Sequence, residues 1–145
     1  MIYVCKQTCS MTLRANIPTS TERPKITNYR DLFVWGRAMD LVEHCYKLSK
    51  EFPQSELYGL TNQIRRASVS VPANIAEGHG RKNLGDYIHH LSIANGSLKE
   101  LETHILIAGR LKYISDNEIA PALEVCAEVG RMLSGLIQKL RQRKL

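Results

Sequence analysis

LYGLTNQIRRASVSVPANIAEGHGR, residues 57–81, carries Leu57, Leu60, Ile64, Ala67, Val71, Ile75 and Gly78 at alternating three- and four-residue steps. Such steps return a side chain to the same side of an α-helix at each turn, so the segment predicts one helix with a single apolar stripe. Ser55, just upstream, is a candidate N-cap. Pro72 falls inside the stripe, where it deletes one backbone hydrogen bond and crowds the carbonyl of Ser68, so a kink is expected. The stripe keeps its register beyond Pro72, which argues against a break. Gly78 and Gly80 are expected to close the helix.

The same period extends in both directions. Upstream, Leu32, Trp35, Met39, Val42, Tyr46 and Ser49 form a stripe widened by Phe33, Ala38, Leu41 and Cys45. Asn28 or Asp31 can cap its start, and Phe52-Pro53 ends it because the residue before proline avoids the α region. Downstream, a third helix opens at Asn83 or Asp86. Its stripe is Leu84, Tyr87 or Ile88, Leu91, Ala94, Leu98, Leu101, Ile105, Ala108 and Leu111. A fourth follows Ser115, with Asp116 and Glu118 in a first turn that favours acids and Pro121 still tolerable near the start. Its stripe is Ile119, Leu123, Cys126, Gly130, Leu133, Ile137 and Leu140, and a second apolar row runs through Ala122, Val125, Val129, Met132 and Leu136. One core needs one stripe, so the second row suggests a subunit interface, with a broad buried face as the alternative.

No segment alternates as a strand does, and no repeat is present. Four helices of about 20 to 28 residues joined by short links predict an all-α, antiparallel up-down-up-down four-helix bundle over residues 29–145. Residues 1–28 are rich in Thr, Ser, Asn and Pro without a period and read as a disordered leader. No apolar run approaches the length of a membrane span, and the N-terminus lacks the apolar core of a secretory signal, so a cytoplasmic protein is expected. Cys45 and Cys126 fall on helical stripes as small hydrophobes, while Cys5 and Cys9 lie in the leader with no second pair. Neither a metal nor another cofactor is expected.

The formal net charge is +6. Residues 1–28 carry +3 and residues 139–145 carry +4, leaving −1 for everything between. The body is therefore nearly neutral and both ends are basic, which weakens an argument from overall charge to nucleic acid.

Three stretches, residues 29–53 (YRDLFVWGRAMDLVEHCYKLSKEFP), residues 57–81 and residues 91–103 (LSIANGSLKELET), resemble the four-helix-bundle family of proteins encoded in intervening sequences of bacterial 23S ribosomal RNA genes. That family is similar to the accessory variability determinant of diversity-generating retroelements. The resemblance spans about residues 29–140, and its motifs are long and ungapped. It implies long four-helix bundles that assemble into pentamers. Its retroelement relative implies a basic surface, nucleic acid and a reverse transcriptase or other protein as partners. Most members have no settled biochemical activity, so the resemblance speaks to fold more than to function. At His79 the chain departs from a position where the family commonly has Phe or Tyr.

On a helical wheel, Asn62, Arg66, Ser70, Glu77 and Arg81 share an arc of about 100° opposite the apolar stripe. Such a ridge can be a solvated face with support between successive turns, or a set of ion pairs with Glu100 and Glu102 of the third helix. It can also hold phosphates, for which Arg65, Arg66, Arg81 and Lys82 are the cations, because a guanidinium can grip two oxygens at once. The basic tail Lys139, Arg141, Arg143 and Lys144 either offsets the dipole of the last helix or touches a nucleic-acid backbone. Ala94, Gly96 and Ser97 invite close backbone approach, at a cost for a helical glycine of about 1 kcal/mol. Trp35 and Tyr46 belong to a stripe and so to the core, which leaves few aromatics for base stacking.

Catalysis finds little support. A di-iron bundle needs Glu-x-x-His on two helices, and Asp86-x-x-His89 with Glu100-x3-His104 does not supply it. The helical ribonuclease class called HEPN pairs an arginine with a histidine a few residues on, as Arg37-x6-His44 loosely does, the histidine moving protons and the arginine holding phosphate charge. The expectation is a non-catalytic, homo-oligomeric protein that associates with RNA or DNA. A protein–protein scaffold without nucleic acid is the alternative, and a HEPN-like ribonuclease the remote one.

Overall fold

The computed structural model describes residues 26–143, so the expected leader and Lys144 fall almost wholly outside it, as do Cys5 and Cys9. The first described turn opens at Asn28, whose side chain accepts the Arg30 N–H at 3.0 Å while Asp31 accepts the Asn28 N–H at 2.9 Å. Both candidate caps are thus used, reciprocally, around a 3-10 turn at Tyr29–Asp31. Four helices follow: α1 Phe33–Leu48, α2 Leu60–His79, α3 Leu84–Arg110 and α4 Asp116–Gln142, with no strand among the described residues. None is long and apolar enough to cross a membrane.

In α1 the buried line is Val34, Ala38, Leu41, Cys45 and Leu48, whereas Met39 and Tyr46 are about two-fifths exposed. The expected stripe lies to one side of the true core line. A bundle helix packs against two neighbours, and the small Ala38 and Cys45 let the backbone approach at the centre of that arc. Phe52 ends the segment in an extended conformation before Pro53, as expected.

Ser55 does not cap α2. The Glu56 carboxylate accepts the Leu60 N–H at 2.8 Å and the Tyr113 hydroxyl at 3.1 Å, so this cap also fastens the α3–α4 turn. α2 continues unbroken through a buried Pro72, along Ile64, Ala67, Val71 and Ile75. Gly80 follows its last residue with φ −76°, an ordinary helical value, so glycine is not required there. Gly78 has a different task. It is buried where α2 meets α3, and a methyl on it would lie 2.9 Å from carbons of both Tyr87 and His90.

α3 starts at Asn83, which accepts the N–H groups of Gly85 and Asp86 at 2.7 and 3.2 Å. It buries Leu91, Ala94, Leu98, Leu101, Ile105 and Ala108. Lys112, at φ 60°, turns the chain out of α3, and the Tyr113 N–H closes on the Ala108 carbonyl at 3.0 Å. α4 opens with a capping box in which the Ser115 hydroxyl and N–H donate to Glu118 at 2.7 and 2.9 Å. Those two bonds, the hydroxyl's first, hold the Glu118 carboxyl below its ordinary value.

Gly78 lies by Tyr87 and His90 while Ser70 bonds Ser97, and Gly109 lies by Ile119 while Gly130 faces Leu98. Each pair runs in opposing chain order, so α2 and α3 are antiparallel, as are α3 and α4. The core line of α4 is Ala122, Cys126, Val129, Leu133 and Leu140, all buried. This corrects the expected interface row, since Ala122 and Val129 belong to the core and only Val125, Met132 and Leu136 remain partly exposed. The second row therefore runs from the core at Ala122 and Val129 to a partly exposed edge at Val125, Met132 and Leu136. Cys45 and Cys126 are free buried thiols, and burial pushes both up to about 12.

Gly78→Ala is expected to cost about 1–3 kcal/mol by forcing α2 from α3, visible as a lower urea midpoint. Because Glu118 is held below 4.5, its contribution is present above that pH and lost as pH falls through the folded value. Thermal melts from pH 6 down to 3 should therefore decline less steeply for Glu118→Gln than for the native chain.

Candidate nucleic-acid interface

The ridge expected along α2 divides in two. Asn62 and Arg66 are exposed, but Ser70 turns toward α3 and shares a 2.9 Å hydrogen bond with Ser97. Asn74 continues that seam, donating to the Ser70 carbonyl at 2.8 Å and to its hydroxyl at 3.1 Å. His90 lies with one ring nitrogen 3.4 Å from the Asn74 amide oxygen and the other 3.2 Å from Arg81 Nε. Glu77 completes the chain of contacts through an ion pair with Arg81. The motifs at 57–81 and 91–103 therefore meet across the α2–α3 contact, extended by His90. Asn74 and His90 were missed because one lies off the wheel arc and the other belongs to neither polar pattern. A four-residue step from Ser70 to Asn74 was the available signal.

Glu100 and Glu102 do not reach α2. Glu100 lies 3.4 Å from His104 and Glu102 3.0 Å from Lys99, both within α3. Of the three small residues, Ala94 is buried and Ser97 bonds Ser70, but an added methyl at Gly96 would meet nothing within 4 Å. Close packing does not explain that glycine.

The candidate cations fall into two groups. Arg65 lies over the Tyr46 ring, 4.9 Å from its centre, and donates to the Ser49 hydroxyl at 2.9 Å. It is half-buried and locks α2 to the end of α1, while Arg66 beside it is exposed. Arg81 and Lys82 lie at the far end of α2, about 22 Å away along the axis. The tail reaches that same far end. Burial raises the Tyr87 hydroxyl, and the nearby Arg143 charge opposes the shift. Tyr87 in turn meets His79 edge-on with ring centres 5.9 Å apart, so the residue that departs from the family pattern keeps an aromatic contact. The start of α1 is there as well: the Asn28 and Thr27 N–H groups lower the Asp31 carboxyl, and the nearby His79 adds to this. Arg81, Lys82, Lys139, Arg141 and Arg143 are all exposed.

Arg37 and His44 line one shallow surface hollow with Asp40, Glu43, Lys47 and Val125. Arg37 is held there by Glu128 at 2.7 Å and Asp40 at 3.3 Å, the Glu128 bond first among the causes that raise its pKa. Among the described residues no three His, Cys, Asp or Glu side chains gather as a metal would require.

Among the described residues the geometry defines a four-helix bundle with a polar α2–α3 seam and a group of exposed cations where the α2–α3 turn meets the end of α4. The chain belongs to the 23S rRNA-intervening sequence protein family, whose model matches residues 30–135. Its fold is similar to the crystal structure of a protein of unknown function from the S23 ribosomal protein family of Bacteroides thetaiotaomicron. The TM-score is 0.67 at 23% identity, over 72% of this chain and 97% of that one. No curated protein matches it.

The Ser70–Ser97 bond is expected to couple the two helices by about 0.5–1 kcal/mol in a double-mutant cycle of Ser70→Ala and Ser97→Ala read by denaturant unfolding.

Proposed function

We infer that this protein binds the phosphate backbone of nucleic acid through the basic end of its bundle, as a non-catalytic subunit of a homo-oligomer. The observation that carries the reading is the convergence of Arg81 and Lys82, from the α2–α3 turn, with the Lys139–Arg143 end of α4. Two segments far apart in sequence thereby add their charges in one place, which is how a neutral body acquires a local positive field. Arg65 is withdrawn from the set by its work between α1 and α2. The name of the family refers to ribosomal RNA, so RNA precedes DNA as the expected ligand. The partly exposed Val125, Met132 and Leu136 support self-association, and a pentamer is the assembly the family resemblance favours.

Fluorescence anisotropy with labelled structured RNA and duplex DNA tests the reading. Affinity should fall by about a hundredfold between 50 and 200 mM salt, as roughly four phosphate contacts require. Combined Arg81→Glu, Lys82→Glu, Arg141→Glu and Arg143→Glu should abolish binding, whereas Arg66→Glu at the opposite end should leave it nearly intact. Absence of binding by the native chain at 50 mM salt overturns the reading and leaves a protein scaffold. Light scattering should give a mass near five times 16.4 kDa.

A further inference from the structure

Phe33 is 79% exposed, although it sits in the first turn of α1 among residues that otherwise build the core. Exposing so large an apolar ring forfeits the stabilisation that burial would return. Tyr58 is the other strongly exposed aromatic, 89% exposed in the α1–α2 connection and hence at the opposite end of the bundle.

The surroundings of Phe33 suit a flat, negatively linked ligand. The ring borders a surface hollow shared with Arg30, Asp31, Gly36, Arg37 and Asp40. Gly36 lies one turn on, and a methyl added to it would meet nothing within 4 Å, so the space beside the ring is open. The two acids in the hollow are already engaged. Asp31 accepts from the Thr27 and Asn28 N–H groups, and Asp40 pairs with Arg37 at 3.3 Å. Arg30 is exposed, with its guanidinium carbon 5.5 Å from the centre of the Tyr29 ring, and it pairs with no carboxylate among the described residues. The hollow lies at the start of α1, on the side of the basic end. Phe33 is one turn nearer that end than Arg37, which bridges to Glu128, and Lys139 follows Glu128 on the same face of α4 about three turns later.

We propose that Phe33 is a stacking platform for an unpaired base, so that the nucleic acid held at the basic end is single-stranded or carries a single-stranded loop. An aromatic face stacks on any base, and flanking cations take the adjoining phosphates, which together make a strand-selective but sequence-tolerant site. A duplex hides its base faces and can offer only phosphates. The proposal rests on the nucleic-acid reading above and adds the class of ligand. RNA and DNA share the chemistry recognised here, since both present base faces and phosphates.

Labelled twelve-nucleotide oligouridylate, oligothymidylate and a duplex of equal length are titrated by anisotropy at 50 mM salt with the full chain. Phe33→Ala should weaken both single strands about tenfold, leave the duplex unchanged and keep the salt slope. Phe33→Trp should restore single-strand binding, and Tyr58→Ala should change nothing. The two single strands report whether the sugar matters. Equal losses on single strand and duplex, or no loss on either, overturn the stacking role while leaving phosphate binding in place. Absence of binding by the native chain to every ligand overturns both. If Phe33→Ala instead lowers the mass by light scattering without selective loss of single strands, the ring belongs to a contact between copies and the proposal fails. The melting temperature of Phe33→Ala should match the native chain, because the ring is exposed.

Discussion

The close approach of α2 to α3 is the constraint on which the rest depends. At Gly78 no room exists for a methyl, and eight residues earlier two hydroxyls meet across the same contact. Hydroxyls and a glycine in place of larger apolar groups let the two backbones run near each other. The polar seam from Ser70 through Asn74 to His90 then fixes their register, because a shift of one turn would strand these groups without partners. With that pair set, α1 and α4 close the bundle around Leu41, Ile64, Leu98 and Leu133.

The ends of the bundle are fastened differently. At one end Glu56 both caps α2 and holds the Tyr113 hydroxyl, and Phe52 lies 5.8 Å from the Tyr113 ring, so the α1–α2 connection and the α3–α4 turn are joined. The bond to Glu56 raises the Tyr113 pKa, since it favours the protonated phenol. The other end gathers the α2–α3 turn, the start of α1 and the finish of α4. There Arg81 and Lys82 come from one segment and Lys139, Arg141 and Arg143 from another, all exposed, and the proposed interface is built on that meeting.

Much of the fold was legible in the residues. The three-four spacing of α2 and α3 placed their cores correctly between Leu60 and Ala108, although Leu57 and Leu111 at the ends of the stripes are exposed, and Asn28, Asn83 and Ser115 announced helical turns through their side-chain hydrogen bonds. The spacing misled where a helix has apolar residues on more than one side. In α1 the aromatic line drew attention from the smaller residues at the true centre. In α4 the second row mixes two environments, since Ala122 and Val129 are buried while Val125, Met132 and Leu136 are partly exposed. Ser55 looked like a cap because capping residues are recognised locally, whereas the actual cap, Glu56, is held in place by Tyr113, 57 residues away.

The sequence by itself determined the helices, because backbone period and capping act over a few residues. It also determined the family, the neutral body and the basic termini. Only the tertiary structure decided which charges work together. Arg65 and Arg81 look equivalent on a wheel, yet one is stacked on Tyr46 between helices and the other is exposed beside the α4 tail. It likewise decided that Phe33 stays in solvent while Leu32 and Val34 on either side are buried. Such outcomes depend on which neighbouring helix a side chain faces, and that is a property of the assembled bundle, not of any one segment.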